Sequence, residues 1–434
     1  MGSIAEKLTY LNETKVALRE AINHAGGNIT TTTPFRQYVN WVREQGATLS
    51  LDFENQQYIT RNTETMFPDS LGENIITFTR ASGGGRFNAQ GVYEWLPADQ
   101  PRIDFDPVTG EAKGLLIEEQ RTNLVRRSNA IGGVGWITSS TLVTTNAVLA
   151  PDGSLTGSSF SHNAGGSGYL YQAITYAGGS GDITLSVYAK SSSGAGTFYM
   201  RLFEQGGVAP SVFTNSPVFT LTGQWQRFSF TKKLTESDRT SLQMVLVSGV
   251  GMVVDVWGAQ LEVGPFPTSY IPTTDAQVTR AADVASVNVL SPWYRADEGT
   301  LVVEASTFGN RPAWAYAQLW NSTTTTGDRI ALTRVQGTGV SANITTGGVV
   351  QVSSSGADPA AVKAALAFRE NDVAVSVNGA PVVVDSSAVL PVSVNRMVIG
   401  RSAATDTYLN GHIRSIRYYP RRLSDESLVE LTTP

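Results

Sequence analysis

Cysteine is absent from the 434 residues of this chain. Its absence excludes disulfide cross-links and thiolate metal sites, so packing and hydrogen bonds must hold the fold together. No apolar run approaches the roughly 20 residues that a membrane-spanning helix requires. Met1 leads into an amphipathic pattern rather than a signal peptide, so we expect a soluble chain without a visible Sec export signal.

Charged residues are also scarce, at 16% of the chain against about a quarter in an average globular protein. The net charge of −5 gives no general attraction to nucleic acid. Glycine (42 residues), serine, threonine, valine and alanine are abundant instead, and this mixture favours short strands and turns over long helices. The chain is longer than a protein with a single hydrophobic core usually is, so two or three domains are expected.

The first 47 residues have a helical hydrophobic pattern, unlike the rest of the chain. This pattern predicts a helical head for attachment or oligomerisation. Ser3 and Glu6 form a capping box. A second short helix is predicted to begin with Thr33 as its cap and Pro34 at its first position. An apolar stripe runs along one face of the first helix and is interrupted by Lys15. The residues of this stripe are Ile4, Leu8, Leu11, Leu18 and Ile22.

From Leu49 onward the hydrophobic period changes from helical to two, with glycine-rich turns between segments. The pattern predicts a mainly β protein, in which the short helical head precedes serial antiparallel β-sandwich or jelly-roll domains. The boundaries are a β-rich lead-in module at 48–124, a jelly roll at 125–285 and a β-sandwich at 286–434. Segment 358–368 is compatible with a helical turn or a strand, and Ser424 is predicted to cap a final short helix.

Catalytic motifs are missing from the sequence. The three histidines, His24, His162 and His412, fall in three different modules, and none accompanies a nucleophile motif. Residues 104–111 contain two aspartates, but they lack the carboxylates and glycine spacing of a calcium loop and are typical of a β-turn. We therefore expect a non-enzymatic protein without a metal or cofactor.

The stretch AWAYAQLWN at 313–321 is the most promising binding motif. Strict alternation would place Trp314, Tyr316 and Trp320 on one strand face together with Gln318. An exposed aromatic face could bind sugars, with Asp328 and Arg329 of the adjacent loop as polar partners. A buried one would be core packing, which is the commoner case.

A second conspicuous stretch is WGAQLEVGPFPTSYIPTTDAQVTRAADV at 257–284. It begins as a strand, and Pro265, Pro267 and Pro272 then prevent further strand pairing because proline has no N–H to donate. Tyr270 and Ile271 are free to pack as the chain crosses to the next domain. We interpret this segment as a rigid domain junction rather than a binding site.

Four segments carry a family likeness: ITFTRAS, RFNAQGVYEW and PRIDFDPVTGEAKGLLIEEQRTNL in 76–124; TLSVYAK, LTGQWQRFSF and VWGAQLEVGPFPTSYIPT in 136–284; GHIRSIRYYPRRLSDESLVEL at 411–431; and LNETKVALREAI with TPFRQYVNWV near the N-terminus. Together they resemble the tail-fibre and receptor-binding proteins of tailed bacteriophages. Residues 76–124 are similar to the lead-in module of many phage fibre proteins, and 136–284 to the carbohydrate-binding-module-like jelly roll that follows it. Residues 411–431 resemble the closing strand and helix of concanavalin-like, laminin-G-like sandwiches. The first helix and the TPFRQYVNWV segment after it resemble the helical head of such fibres.

The resemblance implies a virion fibre or spike protein that binds host-surface glycans for adsorption. It implies a homotrimer whose head attaches to other virion proteins, assembled in the host cytoplasm, with no nucleic-acid partner and no membrane insertion. Two alternatives remain open. The first is a purely structural virion component, such as a capsid-attached fibre or a tail adaptor. The second is a polysaccharide depolymerase, which would need convergent carboxylates in a groove.

Overall fold

A computed structural model provides the structure of the chain. It describes residues 4–24, 30–32, 46–61, 66–69, 75–162, 168–308, 313–323, 327–335, 339–354 and 359–434. The fold is mainly β, with 51% strand and 6% helix, which confirms the predicted fold class. Helix α1, Ile4–His24, is the predicted head helix, whereas Ser3 and the second predicted helix after Thr33 lie outside the described residues. No helix in the described ranges is long and apolar enough to cross a bilayer.

The strands are numbered along the chain. Up to residue 222 they are β1 Leu49–Asp52, β2 Gln57–Arg61, β3 Met66–Asp69, β4 Thr77–Thr79, β5 Gly84–Phe87, β6 Tyr93–Leu96, β7 Ile103–Phe105, β8 Ala112–Ile117, β9 Arg121–Asn123, β10 Ile137–Ser139, β11 Thr141–Val148, β12 Gly157–His162, β13 Tyr169–Thr175, β14 Asp182–Lys190, β15 Ala195–Gln205, β16 Val212–Asn215 and β17 Phe219–Thr222. Beyond it they are β18 Gln226–Lys233, β19 Ser241–Ser248, β20 Val253–Val263, β21 Val278–Arg280, β22 Val284–Val287, β23 Glu298–Thr307, β24 Ala313–Trp320, β25 Arg329–Val335, β26 Gly339–Thr346, β27 Val349–Ser354, β28 Ala361–Arg369, β29 Asp372–Val377, β30 Val383–Asp385, β31 Arg396–Ile399, β32 Arg401–Ser402, β33 Thr407–Tyr408 and β34 Gly411–Tyr419.

The first sandwich, called the jelly roll below, is formed by strands β10 to β20 within the segment 125–285. One sheet has the strand order β10-β13-β19-β15-β16, with β17 also paired to β15, and the facing sheet has the order β11-β12-β20-β14-β18. Buried and partly exposed residues alternate along β15, because one face of an antiparallel strand packs on the core while the other meets solvent. The core between the two sheets includes Leu185, Met200, Leu246 and Val256.

The second sandwich combines strands from both ends of the chain. Its larger sheet has the order β3-β2-β1-β34-β23-β28-β29-β30, with β8 paired to β34 and β7 to β8. The facing sheet has the order β27-β26-β25-β24-β31-β22-β4. A single core lies between them, and it includes Leu51, Leu301, Leu332, Phe368 and Ile416.

The structure therefore divides the chain differently from the predicted modules. Residues 48–124 and 286–434 are not separate: Leu51 of β1 lies opposite Ile416 of β34, and Phe78 of β4 lies opposite Ala285 of β22. The jelly roll is inserted into this one sandwich rather than placed in series before it. Local alternation predicts that a segment is a strand, but it carries no information about a pairing partner more than 300 residues away.

Two open assignments in the last part of the chain are resolved. Residues Ala361–Arg369 form strand β28, paired on both sides by β23 and β29, and their nearly continuous apolar run reflects burial on both faces. The final helix α2, Asp425–Thr432, is capped as predicted. The Ser424 hydroxyl oxygen accepts a hydrogen bond from the backbone N–H of Ser427 at 3.3 Å.

Candidate functional site

The two sandwiches meet where the chain passes from the second sandwich into the jelly roll and where it returns to the second sandwich. The outgoing strand β9 and the returning strand β21 pair antiparallel, with Arg121 opposite Arg280. Beside this pair lies a cluster of three arginines and two carboxylates with no side-chain exposure. The five residues of this ion cluster are Arg80, Arg102, Glu118, Arg280 and Asp283.

The ion cluster is closely bonded. Arg102 Nη1 lies 2.7 Å from Glu118 Oε2, and Arg80 Nη1 lies 3.1 Å from Asp283 Oδ1. Burial alone would raise the pKa of Glu118, but Arg280, Arg102 and hydrogen bonds from Ser269 outweigh it and hold that pKa well below its ordinary value. The carboxylate is thus ionised, and it fixes the outgoing segment to the returning one.

An aromatic cluster continues the junction on the jelly-roll side. Tyr270 is fully buried and packs edge-on against Trp257, with ring centroids 4.7 Å apart. The Tyr93 hydroxyl donates a hydrogen bond to the Tyr270 carbonyl, and Tyr270 Oη lies 2.6 Å from Ser128 Oγ. Burial raises the pKa of Tyr93 well above its ordinary value, so its hydroxyl stays a donor. The 257–284 segment is therefore a junction, as interpreted from the sequence.

A cleft of about 1000 Å³ opens beside the junction, at the upper end of the range for small-molecule sites. It lies between the outer face of the jelly-roll sheet that carries β14 and β18, the β5–β6 hairpin, the 104–108 turn and the start of β34. Pro267, Thr268, Ser269 and Tyr270 form part of its wall. The interpretation of 257–284 as a junction and not a site is thus incomplete, because the same segment also lines this cleft.

Aromatic rings form much of the cleft surface. Tyr93, Tyr188 and Tyr270 are buried in its floor. Phe87 and Trp225 are half-buried, and Phe308 is 41% exposed. The half-buried and exposed rings offer flat apolar surfaces to a ligand.

Two of these rings are held in place by polar neighbours. Trp225 Nε1 donates to the Leu149 carbonyl at 3.0 Å, and Lys190 Nζ lies 4.9 Å from the Trp225 ring centroid. Phe308 packs edge-to-face on the His412 ring, with centroids 5.1 Å apart. Both rings therefore have defined positions at the cleft surface.

The cleft carboxylates already have protein partners. Asp104 accepts from the Phe87 backbone N–H at 2.8 Å and lies 2.9 Å from His412 Nε2. Asp106 accepts from the backbone N–H groups of Val108 and Thr109, as the predicted β-turn requires. Burial raises the pKa of Asp106, but these bonds and Lys113 outweigh it and lower that pKa. Within the described ranges, no three His, Cys, Asp or Glu side chains are grouped as metal ligands.

The predicted aromatic face of β24 does not exist as such. Trp314 and Tyr316 are only 2% and 1% exposed and belong to the core of the second sandwich. A β-bulge between Ala315 and Ala317 interrupts the pairing of β24 with β25. The extra residue reverses the alternation after Tyr316, so Ala317 also enters the core. Core packing, the commoner alternative, therefore holds for both aromatic residues.

The remaining predicted candidates lie together at the far end of β24. Trp320 is opposite Arg329 in the strand pair, and both are half-buried. Arg329 Nε donates to Asn343 Oδ1 at 2.9 Å, and Asp328 accepts from the Gly347 N–H at 2.8 Å. None of the five predicted candidates lines the cleft.

In the head helix, Leu11 is 62% exposed and Leu18 is half-buried. The side chains of Ile4, Leu8 and Ile22 lie outside the description. The predicted role of this stripe in oligomerisation stays a prediction.

The sequence does not single out the principal cleft residues, although it contains one signal for them. In LTGQWQRFSF, Phe228 and Phe230 pack towards the jelly-roll core, so Trp225, Arg227 and Ser229 face outward. The sequence does not reveal that a hairpin from 84–96 stands opposite this outward face and turns it into a cleft wall.

No family profile and no curated protein matches the sequence. Among solved structures, the chain is similar to the CBM40 module of the Ruminococcus gnavus IT-sialidase bound to α2,3-sialyllactose, with 19% identity, TM-score 0.28, and coverage of 32% of this chain and 83% of that chain. It is also similar to the CBM22-1 xylan-binding domain of Paenibacillus barcinonensis Xyn10C, with 13% identity, TM-score 0.29, and coverage of 34% and 97%. A third match is the enzymatically active domain of bacteriophage CBA120 tailspike protein 4, with 18% identity, TM-score 0.25, and coverage of 33% and 21%. At these identities and TM-scores, the similarities assign neither a family nor a function to the chain.

Proposed function

We propose that this chain is a non-enzymatic carbohydrate-binding protein whose ligand occupies the cleft between the two sandwiches. The observation that carries the proposal is the combination of partly exposed rings with hydrogen-bonding groups in one large concavity. Phe87, Trp225 and Phe308 supply the rings, and Gln224, Gln226 and Arg227 are the polar side chains nearest to Trp225 along β18 and the turn before it.

Carbohydrates suit such a surface because a sugar ring has an apolar C–H face and a rim of hydroxyl groups. The C–H face packs on an aromatic ring, and the hydroxyls exchange hydrogen bonds with amide, guanidinium and carboxylate groups. A cleft of about 1000 Å³ has room for several linked sugars.

The junction makes the cleft preorganised. The ion cluster and the aromatic cluster join the jelly roll to the second sandwich through buried side chains, so both cleft walls belong to one packed unit. A ligand then pays little ordering entropy in the protein when it binds.

A binding role without catalysis is supported by the bonding of the cleft carboxylates, each of which already has protein partners. Asp104 bonds to His412, Asp106 belongs to a turn, and Glu118 lies within the ion cluster. A retaining glycosidase needs two free carboxyl groups about 5 Å apart on either side of the scissile bond. Depolymerase activity is therefore only the second candidate function. Assaying for released reducing ends distinguishes it from binding without catalysis.

The biological setting we propose is a phage virion, where the chain acts as a fibre or spike protein that adsorbs to host-surface glycans. Its support is the sequence resemblance of 76–124, 136–284 and 411–431 to phage fibre proteins. In this setting the N-terminal head attaches to other virion proteins, and a homotrimer presents three clefts. A purely structural virion component would have the same fold but no glycan ligand.

The test is a glycan array followed by calorimetry on the full chain and on Trp225→Ala. We expect the variant to lose at least about tenfold in affinity, which corresponds to about 1.4 kcal/mol. Trp320→Ala is the matched control, because it removes a half-buried tryptophan from the predicted surface on the second sandwich. Loss of binding in the control alone would move the site to that surface. Release of reducing ends would instead indicate a depolymerase.

A further inference from the structure

We infer that the ligand of the cleft is an acidic glycan, with Arg227 binding its carboxylate while Trp225 packs on the sugar ring. This inference rests on the proposed function and specifies its ligand class. It follows from the charge pairing of the cleft residues.

Arg227 is held in a fixed position at the cleft wall. Its Nη2 donates to Ser186 Oγ at 2.9 Å, and the guanidinium carbon lies 5.5 Å from the Tyr188 ring centroid. These contacts leave Nη1 of the guanidinium without a protein acceptor among the described residues, whereas Nε is buried and closed to a ligand. An arginine fixed in this way presents a planar fork that matches a carboxylate.

The other cations of the cleft are neutralised by the protein. Arg86 pairs with Glu94 at 3.1 Å, and Lys113 pairs with Asp106 at 3.2 Å. For Arg227, by contrast, no carboxylate of the described chain lies within ion-pair distance. A half-buried charge without a partner is unfavourable, and a ligand carboxylate would satisfy it with charge-assisted hydrogen bonds.

A second cation without a carboxylate partner lies close by. Lys190, on the neighbouring strand β14, places Nζ over the Trp225 ring and has no ion pair within the described part of the chain. Tyr188, two residues before Lys190, lies directly opposite Arg227 in the β14–β18 pair. Arg227 thus lies against the Tyr188 ring and Lys190 against the Trp225 ring, and both rings line the cleft.

The carboxylates that line the cleft have partners other than Arg227. Asp104 lies 2.9 Å from His412 Nε2, Asp106 pairs with Lys113, and Glu118 belongs to the ion cluster. Arg227 is thus a cation at the cleft wall without a carboxylate partner among the described residues, and a neutral sugar would leave it uncompensated.

The test uses the full chain on an array that carries neutral, uronate-containing, sialylated and sulfated glycans. We expect the strongest binding to glycans with a carboxylate. Methyl esterification of a bound uronate ligand, which removes the charge and keeps the sugar, should weaken binding at least tenfold. Binding should also weaken as NaCl is raised, because an ionic contact is screened by salt.

Variants separate charge from structure. Arg227→Gln should reduce affinity for the acidic glycan at least tenfold, and Arg227→Lys should retain part of it because the charge remains. Lys233→Gln is the matched control: it removes an exposed cation from the same strand, outside the cleft, and should bind like the parent chain. A circular dichroism spectrum unchanged in Arg227→Gln excludes misfolding as the cause.

The outcomes distinguish this inference from the proposed function. Preference for neutral glycans, or equal binding by the parent chain and Arg227→Gln, would overturn the inference and keep the carbohydrate-binding function. Preference for sulfated over carboxylated glycans would overturn the carboxylate assignment. Absence of binding to every glycan on the array would contradict the proposed function itself.

Discussion

Glu118 shows how one side chain can join two domains. It lies between Arg102 and Arg280, and it accepts hydrogen bonds from the backbone and hydroxyl of Ser269. Partners from the outgoing segment and from the returning segment therefore converge on one carboxylate. Removing the carboxylate charge leaves the buried arginines uncompensated. This costs more stability than replacing a whole buried ion pair with apolar residues.

We therefore expect Glu118→Gln to lower the free energy of unfolding at pH 7 by about 3–5 kcal/mol. The folded-state pKa of Glu118 is depressed, so the unfolded chain takes up the proton first as the pH falls. The stability due to this charge is complete above its ordinary pKa of 4.5 and decreases below it. Urea denaturation between pH 7 and pH 3 should show a steeper loss for the parent chain than for the variant.

Glu119→Gln is the natural control for this measurement. Glu119 is the next residue, but its side chain is 17% exposed and pairs with Arg121 outside the ion cluster. Its substitution should cost less than that of Glu118, because the Glu119 side chain keeps some solvent exposure whereas Glu118 lies between two fully buried arginines. Equal losses for the two variants would show that the ion cluster is not what couples the domains.

At the scale of single elements, strand β24 shows the limit of pattern reasoning. The sequence predicts a strand at 313–321 and the structure has one, but the bulge at Tyr316 exchanges the faces halfway along it. Trp314 is consequently a core residue, whereas Trp320 lies at the edge of the sandwich. A single inserted residue is enough to invalidate a face assignment made from period-two alternation.

Trp314→Ala is expected to destabilise the protein by about 3–5 kcal/mol, because it leaves a large cavity in the core. Trp320→Ala should cost markedly less. The two variants differ in position on one strand but not in chemistry, so thermal and urea unfolding compare them directly. Similarly small losses for both would mean that Trp314 is no more buried than Trp320 and that the predicted aromatic face is real.

Other elements were predictable because their signals are local. Ser424 and the acidic residues after it specify the start of helix α2, and the apolar alternation in TFYMRLFE specifies β15. The proline-rich exit after β20 likewise marks the junction. The cleft was not predictable in the same way, because its walls come from the β5–β6 hairpin, strand β18 and the end of the second sandwich. These walls come together only because strands that precede the jelly roll in sequence pair with strands that follow it.

At the scale of the whole molecule, the insertion has consequences for dissection. A fragment of residues 286–434 lacks β1, β4 and β8, and with them Leu51 and Ile117 of the shared core. We expect this fragment to be unfolded or aggregated by circular dichroism. A fragment of residues 124–275 contains the complete jelly-roll core and should fold with a cooperative transition. A stably folded 286–434 fragment would contradict the interleaved architecture.

The head helix has an exposed surface that bears on assembly. Helix α1 has 21 residues and leaves Tyr10 and Leu11 largely exposed, at 70% and 62%. A helix in a protein gains most of its stability from packing of its apolar face, and a symmetric bundle would bury this stripe while the Lys15 stem carries its charge to water. Three clefts in one particle would also strengthen weak sugar binding by avidity.

We expect light scattering to give about three times the chain mass of 46.4 kDa for the full chain. A chain that starts at Thr48 keeps β1 and both sandwiches and should be a monomer. Leu11→Asp should also be a monomer, whereas Glu13→Gln, an exposed change on the same helix, should remain a trimer. In the competing arrangement the stripe packs on Phe35, Tyr38 and Val42 of the same chain, so all four proteins would be monomers, and that result would exclude a trimer held by the head helix.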